Sequence, residues 1–158
     1  MPIVNEIRDA NRSYASEFSK GDLPMPPGRK FAVVTCMDAR LDPAKFLGLD
    51  EGDAHVIRNA GGVVTDDALR SLIISHHLLG TQEAVVISHT DCGMLTFKDE
   101  ELQERLDTDV EFHAFPDLEK NVRSGVKKIQ DSPLLPDSFE ARGFVYDVKT
   151  GELRDVAC

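Results

Sequence analysis

Phe31-Ala-Val-Val-Thr35 is a short β-branched run with no polar alternation, and Cys36 sits at its end. Such a run suits a strand covered on both faces, the kind held inside a parallel sheet. Ala84-Val-Val-Ile-Ser88 repeats the pattern and delivers His89 and Cys92 just beyond it. Between the two, His55-Val-Ile-Arg-Asn59 reads as a further strand closing on Gly61-Gly62. A helix follows: Thr65-Asp66-Asp67 supplies a cap and two acids at its positive end, Leu69, Leu72, Ile73 and Leu79 form its apolar face, and Gly80 stops it. Asp42-Pro43 can cap a shorter helix through Leu47, stopped by Gly48. Strands alternating with helices predict an α/β fold, a central and mainly parallel β-sheet flanked by helices with right-handed crossovers. Ligands in such sheets bind off the carboxyl ends of the strands, and Cys36, His89 and Cys92 all fall at that rim.

Toward the C-terminus, residues Lys98 to Lys120 carry nine acids and three bases and read as a solvated helical excursion with no chemical role. Pro116 to Ile129 is a last helix with Leu118, Val122, Val126 and Ile129 on one side. Gly143-Phe-Val-Tyr-Asp-Val148, Thr150-Gly151 and Glu152-Leu-Arg-Asp-Val156 then form a strand and hairpin return. Toward the N-terminus, Ile3, Val4, Ile7, Ala10, Tyr14 and Phe18 make one stripe of a helix opened by Pro2 and ending before Gly21. Asp22-Leu-Pro-Met-Pro-Pro-Gly28 holds three prolines and reads as an extended connector, so residues 1–28 form a helical arm on a Pro-rich strap. Periodicity shows only that one face of the arm is apolar; it can fold onto its own domain or cross to a second subunit.

A chain of 158 residues, 41% hydrophobic and 29% charged, matches one globular domain over residues 1–158. A formal charge of −10 repels a phosphate backbone, which argues against nucleic acid and anionic membrane as partners. The apolar runs are a few residues long, far below the roughly 20 needed to span a bilayer. Charge appears within Met1-Pro-Ile-Val-Asn-Glu-Ile-Arg-Asp9, where a signal peptide would need its apolar stretch, so a cytoplasmic location is expected. Three Cys, an odd count, fit a reducing compartment and thiols used as thiols.

The informative constellation is Cys36-Met-Asp38-Ala-Arg40 with His89-Thr-Asp91-Cys92. Two thiolates and one imidazole make a zinc-type donor set, and three protein ligands leave a tetrahedral position open for water or substrate. Cys158 could close that position, but as the last residue of a frayed terminus it fits a free thiol better. The bland alternative is that Cys36 and Cys92 are small buried hydrophobes. By spacing alone each motif is weak; their joint placement at two strand ends raises the zinc reading. Asp91 is expected to cap the turn that follows it, with orientation of a neighbouring group as the alternative. Gly61, Gly62 and Gly93 are expected to let backbone approach the pocket closely. His76 and His77 read as a satisfied core or surface pair, and neither His55 nor His113 is given a role.

Cys36-Met-Asp-Ala-Arg-Leu-Asp42, His55-Val-Ile-Arg-Asn-Ala-Gly-Gly62 and Ser88-His-Thr-Asp-Cys-Gly-Met94 together resemble the β-carbonic anhydrase family, closest to its short bacterial, archaeal and fungal members. The resemblance implies that Cys36, His89 and Cys92 bind one Zn²⁺ per chain, and that Asp38 and Arg40 form a catalytic dyad. It implies reversible hydration of CO₂ to bicarbonate by zinc-bound hydroxide. Two thiolates cancel the charge of Zn²⁺, so the metal acidifies its water less than a three-His site does, and Asp38 would orient the hydroxide while Arg40 clamps Asp38. In some relatives the counterpart of Asp38 swings onto zinc and releases its Arg. The same scaffold also implies an alternative, hydrolysis of carbonyl sulfide or carbon disulfide, since attack on a linear cumulated carbon is the same step. A zinc-containing scaffold protein without activity is the third reading. The family also implies a homodimer or an assembly of dimers, with the N-terminal helix over the partner, and a small neutral substrate. Some relatives hold an inhibitory bicarbonate with a Trp three residues before the first ligand Cys; here that position is Val33, the chain has no Trp, and Arg58 defaults to a structural or interface role. Plant-type members carry a Gln nine residues before that Cys, where this chain has Pro27.

Overall fold

The computed structural model describes residues 2–158. Five strands form one sheet in the order β2-β1-β3-β4-β5, with β1 (Phe31–Cys36), β2 (Ala54–Asn59), β3 (Glu83–His89), β4 (Glu140–Tyr146) and β5 (Leu153–Val156). The first four strands are mutually parallel and β5 returns antiparallel on β4, the expected hairpin. The uninterrupted apolar runs became the central strands: Ala32 to Cys36 are all buried in β1, and Val86 to His89 in β3. β2 lies at the edge and alternates in burial, in keeping with its weaker apolar pattern.

The register aligns Ala32 with Ala84 and Val34 with Val86, so these small and branched side chains share one face. Onto it pack α3 (Asp66–Leu79) through Ala68 and Leu72, and α5 (Leu118–Gln130) through Val122, Val126 and Ile129, all within one buried cluster. Fully burying a side chain of this size contributes about 1.5–3 kcal/mol, which makes this face the main source of stability. α3 starts as its sequence indicates, the Thr65 hydroxyl accepting from the Ala68 N–H, while α5 starts two residues beyond the expected Pro116, where the Asp117 carboxylate accepts from the Lys120 N–H. Gly80 ends α3 in the left-handed conformation. Asp42 likewise caps α2 (Pro43–Phe46).

One expectation changes and one open alternative narrows. The acidic excursion is helical only over α4 (Asp99–Leu106); beyond it the chain folds back and places Ala114, Phe115 and Leu118 against the cluster that contains Cys36 and Cys92. The Asp99 carboxylate makes that return possible by accepting from the N–H groups of Phe112, His113 and Ala114 at 2.8, 3.0 and 2.8 Å. The N-terminal helix α1 (Pro2–Glu17) has no buried residue, so its stripe of Ile3, Ile7, Tyr14 and Phe18 finds no cover in its own chain. The Pro-rich strap runs along the turn before β2: Lys20 just before it pairs with Glu51, Leu23 lies against Gly52, and at its end Gly28 and Arg29 donate to the carbonyls of Gly52 and Asp53. No helix among the described residues is long and apolar enough to cross a membrane.

Candidate metal centre

β1 and β3 are adjacent and parallel, and each ends on a donor: Cys36 is the last residue of β1 and His89 the last of β3. Three residues on, Cys92 turns back toward them. The three donor atoms lie within 4.8 Å of one another, and all three residues are buried, at 4%, 1% and 2% exposure. Cys158 is exposed and stands apart from this group; its thiol donates to the Val156 carbonyl, so the idea of a fourth ligand fails on geometry.

The imidazole of His89 is oriented by its neighbour. Its Nδ1 lies 2.7 Å from the Thr90 carbonyl, which can only accept, so Nδ1 carries the proton and Nε2 presents a lone pair. That Nε2 is the one buried side-chain nitrogen or oxygen without a partner among the described residues. An unpartnered buried acceptor is costly, and here it faces two sulfurs. The two thiols act on one another in opposite senses: the neighbouring Cys92 draws the Cys36 thiol well below its ordinary value against the desolvation that opposes it, while the same contact and burial push Cys92 up. The Gly61 N–H adds a donor to the Cys36 sulfur at 3.3 Å. A lone pair and a stabilised thiolate converging in a buried pocket are compatible with a zinc ion.

The backbone around Cys36 is held by close approach. Gly62 has φ +61°, and a β-carbon there would fall 2.9 Å from the Thr35 carbonyl carbon and 3.0 Å from the Cys36 nitrogen. A β-carbon on Gly61 would strike Phe115 and Met94 at 2.8 and 2.9 Å, which shows how tightly the returning excursion covers this turn. Gly93, in contrast, has open space, so the sequence-based reason for a glycine there does not hold. Arg58 donates to the carbonyls of Cys36, Asp38 and Leu41 at 2.9, 2.8 and 3.3 Å, a structural role as expected. Val33 is fully buried in β1. Val33 offers no polar group there, and the Nε and Nη2 of Arg58 are committed to backbone carbonyls.

Asp38 and Arg40 form a fork. Arg40 Nε donates to Asp38 Oδ1 at 3.0 Å and Nη2 to Oδ2 at 2.8 Å, and the Arg40 backbone N–H adds a third bond to Oδ1. This grip, above all the guanidinium, keeps the Asp38 carboxyl well below the usual carboxylate range. Asp38 Oδ2 lies 3.7 Å from His89 Nε2, beside the donor set. Asp91 departs from its expected role: the turn after it begins at Cys92 without a side-chain cap, and its carboxylate instead accepts from Arg40 Nη1 at 2.9 Å. Nothing local signals a pairing across 51 residues. The bond from Asn121 to Ser88 Oγ, which ties α5 to β3 just before His89, was equally hidden. His76 and His77 each find a carbonyl partner, in Thr81 and Leu134.

A family model for carbonic anhydrase matches residues 31–114, the span from β1 through the returning excursion. β-Carbonic anhydrase 1 of Mycobacterium tuberculosis is 46% identical over 162 residues, covering 99% of each chain. A solved carbonic anhydrase from Streptococcus mutans superposes with a TM-score of 0.92 at 44% identity, again over 99% of both chains. A carbon disulfide hydrolase of Acidianus is 34% identical over 96% of this chain and 90% of its own. Family motifs, whole-length similarity and the three-donor rim of a parallel sheet agree, and the chain belongs to the β-carbonic anhydrase family.

Proposed function

We propose that this protein is a zinc-dependent carbonic anhydrase that interconverts CO₂ and bicarbonate, with Cys36, His89 and Cys92 as the metal ligands. The observation that carries the reading is the unpartnered His89 Nε2 facing two sulfurs, with the Asp38 carboxylate 3.7 Å away. Zinc held there would supply a Lewis acid that makes water nucleophilic near neutral pH. Asp38, fixed as an ionised acceptor by Arg40, orients the proton of the attacking water so that its lone pair points at carbon. Arg40 keeps that carboxylate in place and charged. With the metal bound, Cys36 and Cys92 would contribute two negative charges, and buried Met94 with the partly buried Phe115 and Leu118 packed against it shields the ligand side from bulk water.

The test is Asp38→Ala. Zinc content should stay near one per chain, while CO₂ hydration falls on the order of 100-fold with loss of the positioning group. Retained activity in that variant would remove Asp38 from the reaction. The carbon disulfide hydrolase relatives favour one second reading, a hydrolase of carbon disulfide or carbonyl sulfide. Sulfide release from those substrates with negligible CO₂ turnover would establish it.

The uncovered stripe of α1 supports a homodimer in which this helix lies across a second copy. An Ile7→Asp variant should then sediment as a smaller species than the wild type, and unchanged sedimentation would exclude the helix from the contact.

A further inference from the structure

We infer that Asp91 is a positioning residue that sets the plane of the Arg40 guanidinium and, through it, the place of the Asp38 carboxylate; the catalytic part of this role rests on the function proposed above. A guanidinium is planar, and its two usable edges stand at a fixed angle. One edge, Nε and Nη2, grips Asp38. The other, Nη1 and Nη2, grips Asp91 through its carboxylate and its backbone carbonyl, each at 2.9 Å. Asp38 and Arg40 are two residues apart on one loop whose backbone Arg58 holds, so what is left to fix is the rotation of their two side chains as a pair. Asp91 sits on the other loop, between the ligands His89 and Cys92, and contact with it removes that freedom.

The backbone explains how one residue offers both acceptors. Asp91 has φ +54°, the left-handed conformation that aspartate tolerates better than most residues. Its side chain caps no turn and faces the far edge of Arg40. Asp38 Oδ2 accepts from Arg40 Nη2, the same nitrogen that donates to the Asp91 carbonyl. The distance from Asp38 to His89 Nε2 is therefore set jointly by both loops, with Arg40 as the strut.

Because the Asp91 side chain is 75% exposed, the effect is a modest one. Two variants fit the backbone: Asp91→Gly removes the carboxylate, and Asp91→Asn keeps an acceptor in the same place. Zinc-loaded protein is assayed for CO₂ hydration, and Arg40 is followed by its ¹⁵Nε–H NMR signal, assigned by its disappearance in Arg40→Lys. In Asp91→Gly the turnover number should fall about three- to fivefold with KM and zinc content unchanged, and the Arg40 signal should shift and exchange faster with water. Asp91→Asn should restore most of both. An unchanged Arg40 signal and turnover in Asp91→Gly overturn the inference, as does a loss of zinc that accounts for the loss of rate. If the wild type hydrates no CO₂ and hydrolyses neither sulfur substrate, the proposed function fails. The Arg40 signal still decides the positional part: a shift in Asp91→Gly sustains it and an unchanged signal refutes it.

Discussion

The two loops that bear the metal-ligand candidates are held by different means. The first, Cys36 to Leu41, is clamped by the body of the protein: Arg58 on the edge strand holds three of its carbonyls, and Gly62 presses against its first peptide. The second, His89 to Cys92, hangs between neighbours. The Thr90 N–H donates to the Tyr146 carbonyl and its hydroxyl accepts from Val148, both at the end of β4, while Asp91 reaches the first loop through Arg40. The contrast teaches that a shared site can be built from one loop gripped at several carbonyls and pressed by a glycine, and a second tied to the neighbouring strand at Thr90 and registered to the first through Arg40. Disturbance of the first should damage the fold, whereas disturbance of the second should damage alignment.

The largest effect is expected at Gly62. Gly62→Ala places a methyl group on backbone atoms of β1 in a conformation that disfavours side chains, costing about 3 kcal/mol. Urea unfolding should show the midpoint drop, and an unchanged midpoint would mean that the first loop is not clamped in this way. A direct comparison of the loops comes next: Arg58→Ala should cost about 2 kcal/mol and Thr90→Val about 1, following the number and charge of the hydrogen bonds each removes. With the proposed zinc loaded, the same two variants should differ in its release to a chelator, faster for Arg58→Ala; the reverse order would invert the comparison.

The smallest effect concerns the cover over the first loop. Asp99, which holds the returning excursion, has its carboxyl lowered by the N–H groups of Ala114, Phe112 and His113. A carboxyl lowered on folding stabilises above its unfolded pKa, about 3.9, and that stabilisation is lost as pH falls through the folded value. The stability gap between wild type and Asp99→Asn should accordingly be flat above about pH 5, on the order of 1 kcal/mol, and narrow below about pH 4. A gap that instead widens under acid would show that Asp99 is not the ionised clasp.

Much of this was legible in the residues themselves. The runs at Phe31 and Ala84 announced buried parallel strands because only a doubly covered strand lacks polar alternation. Thr65 and Gly80 marked helix ends because capping is local chemistry, settled within four residues. The donors Cys36, His89 and Cys92 stood out because they fell at the ends of two such strands. Asp91 misled for the same local reason: an Asp in a turn has a nearby use in capping, and its real partner is 51 residues away. The acidic excursion misled by composition, since its charge is solvated but Phe115 and Asp99 within it make specific contacts. α1 and α5 carry similar apolar stripes, yet α5 buries Val122, Val126 and Ile129 while α1 buries nothing.

Taken by itself, the amino-acid sequence determined which segments are strands and helices, which rim carries the donors, and which family the motifs resemble. These are matters of side-chain period and residue type, written along the chain. Tertiary structure alone decided that His89 Nε2 is left without a partner, that Arg40 joins two loops, and that Arg58 is committed to backbone carbonyls. Those facts depend on which groups meet across space, and hydrogen bonds and close packing act over a few ångströms between residues that sequence separation leaves far apart.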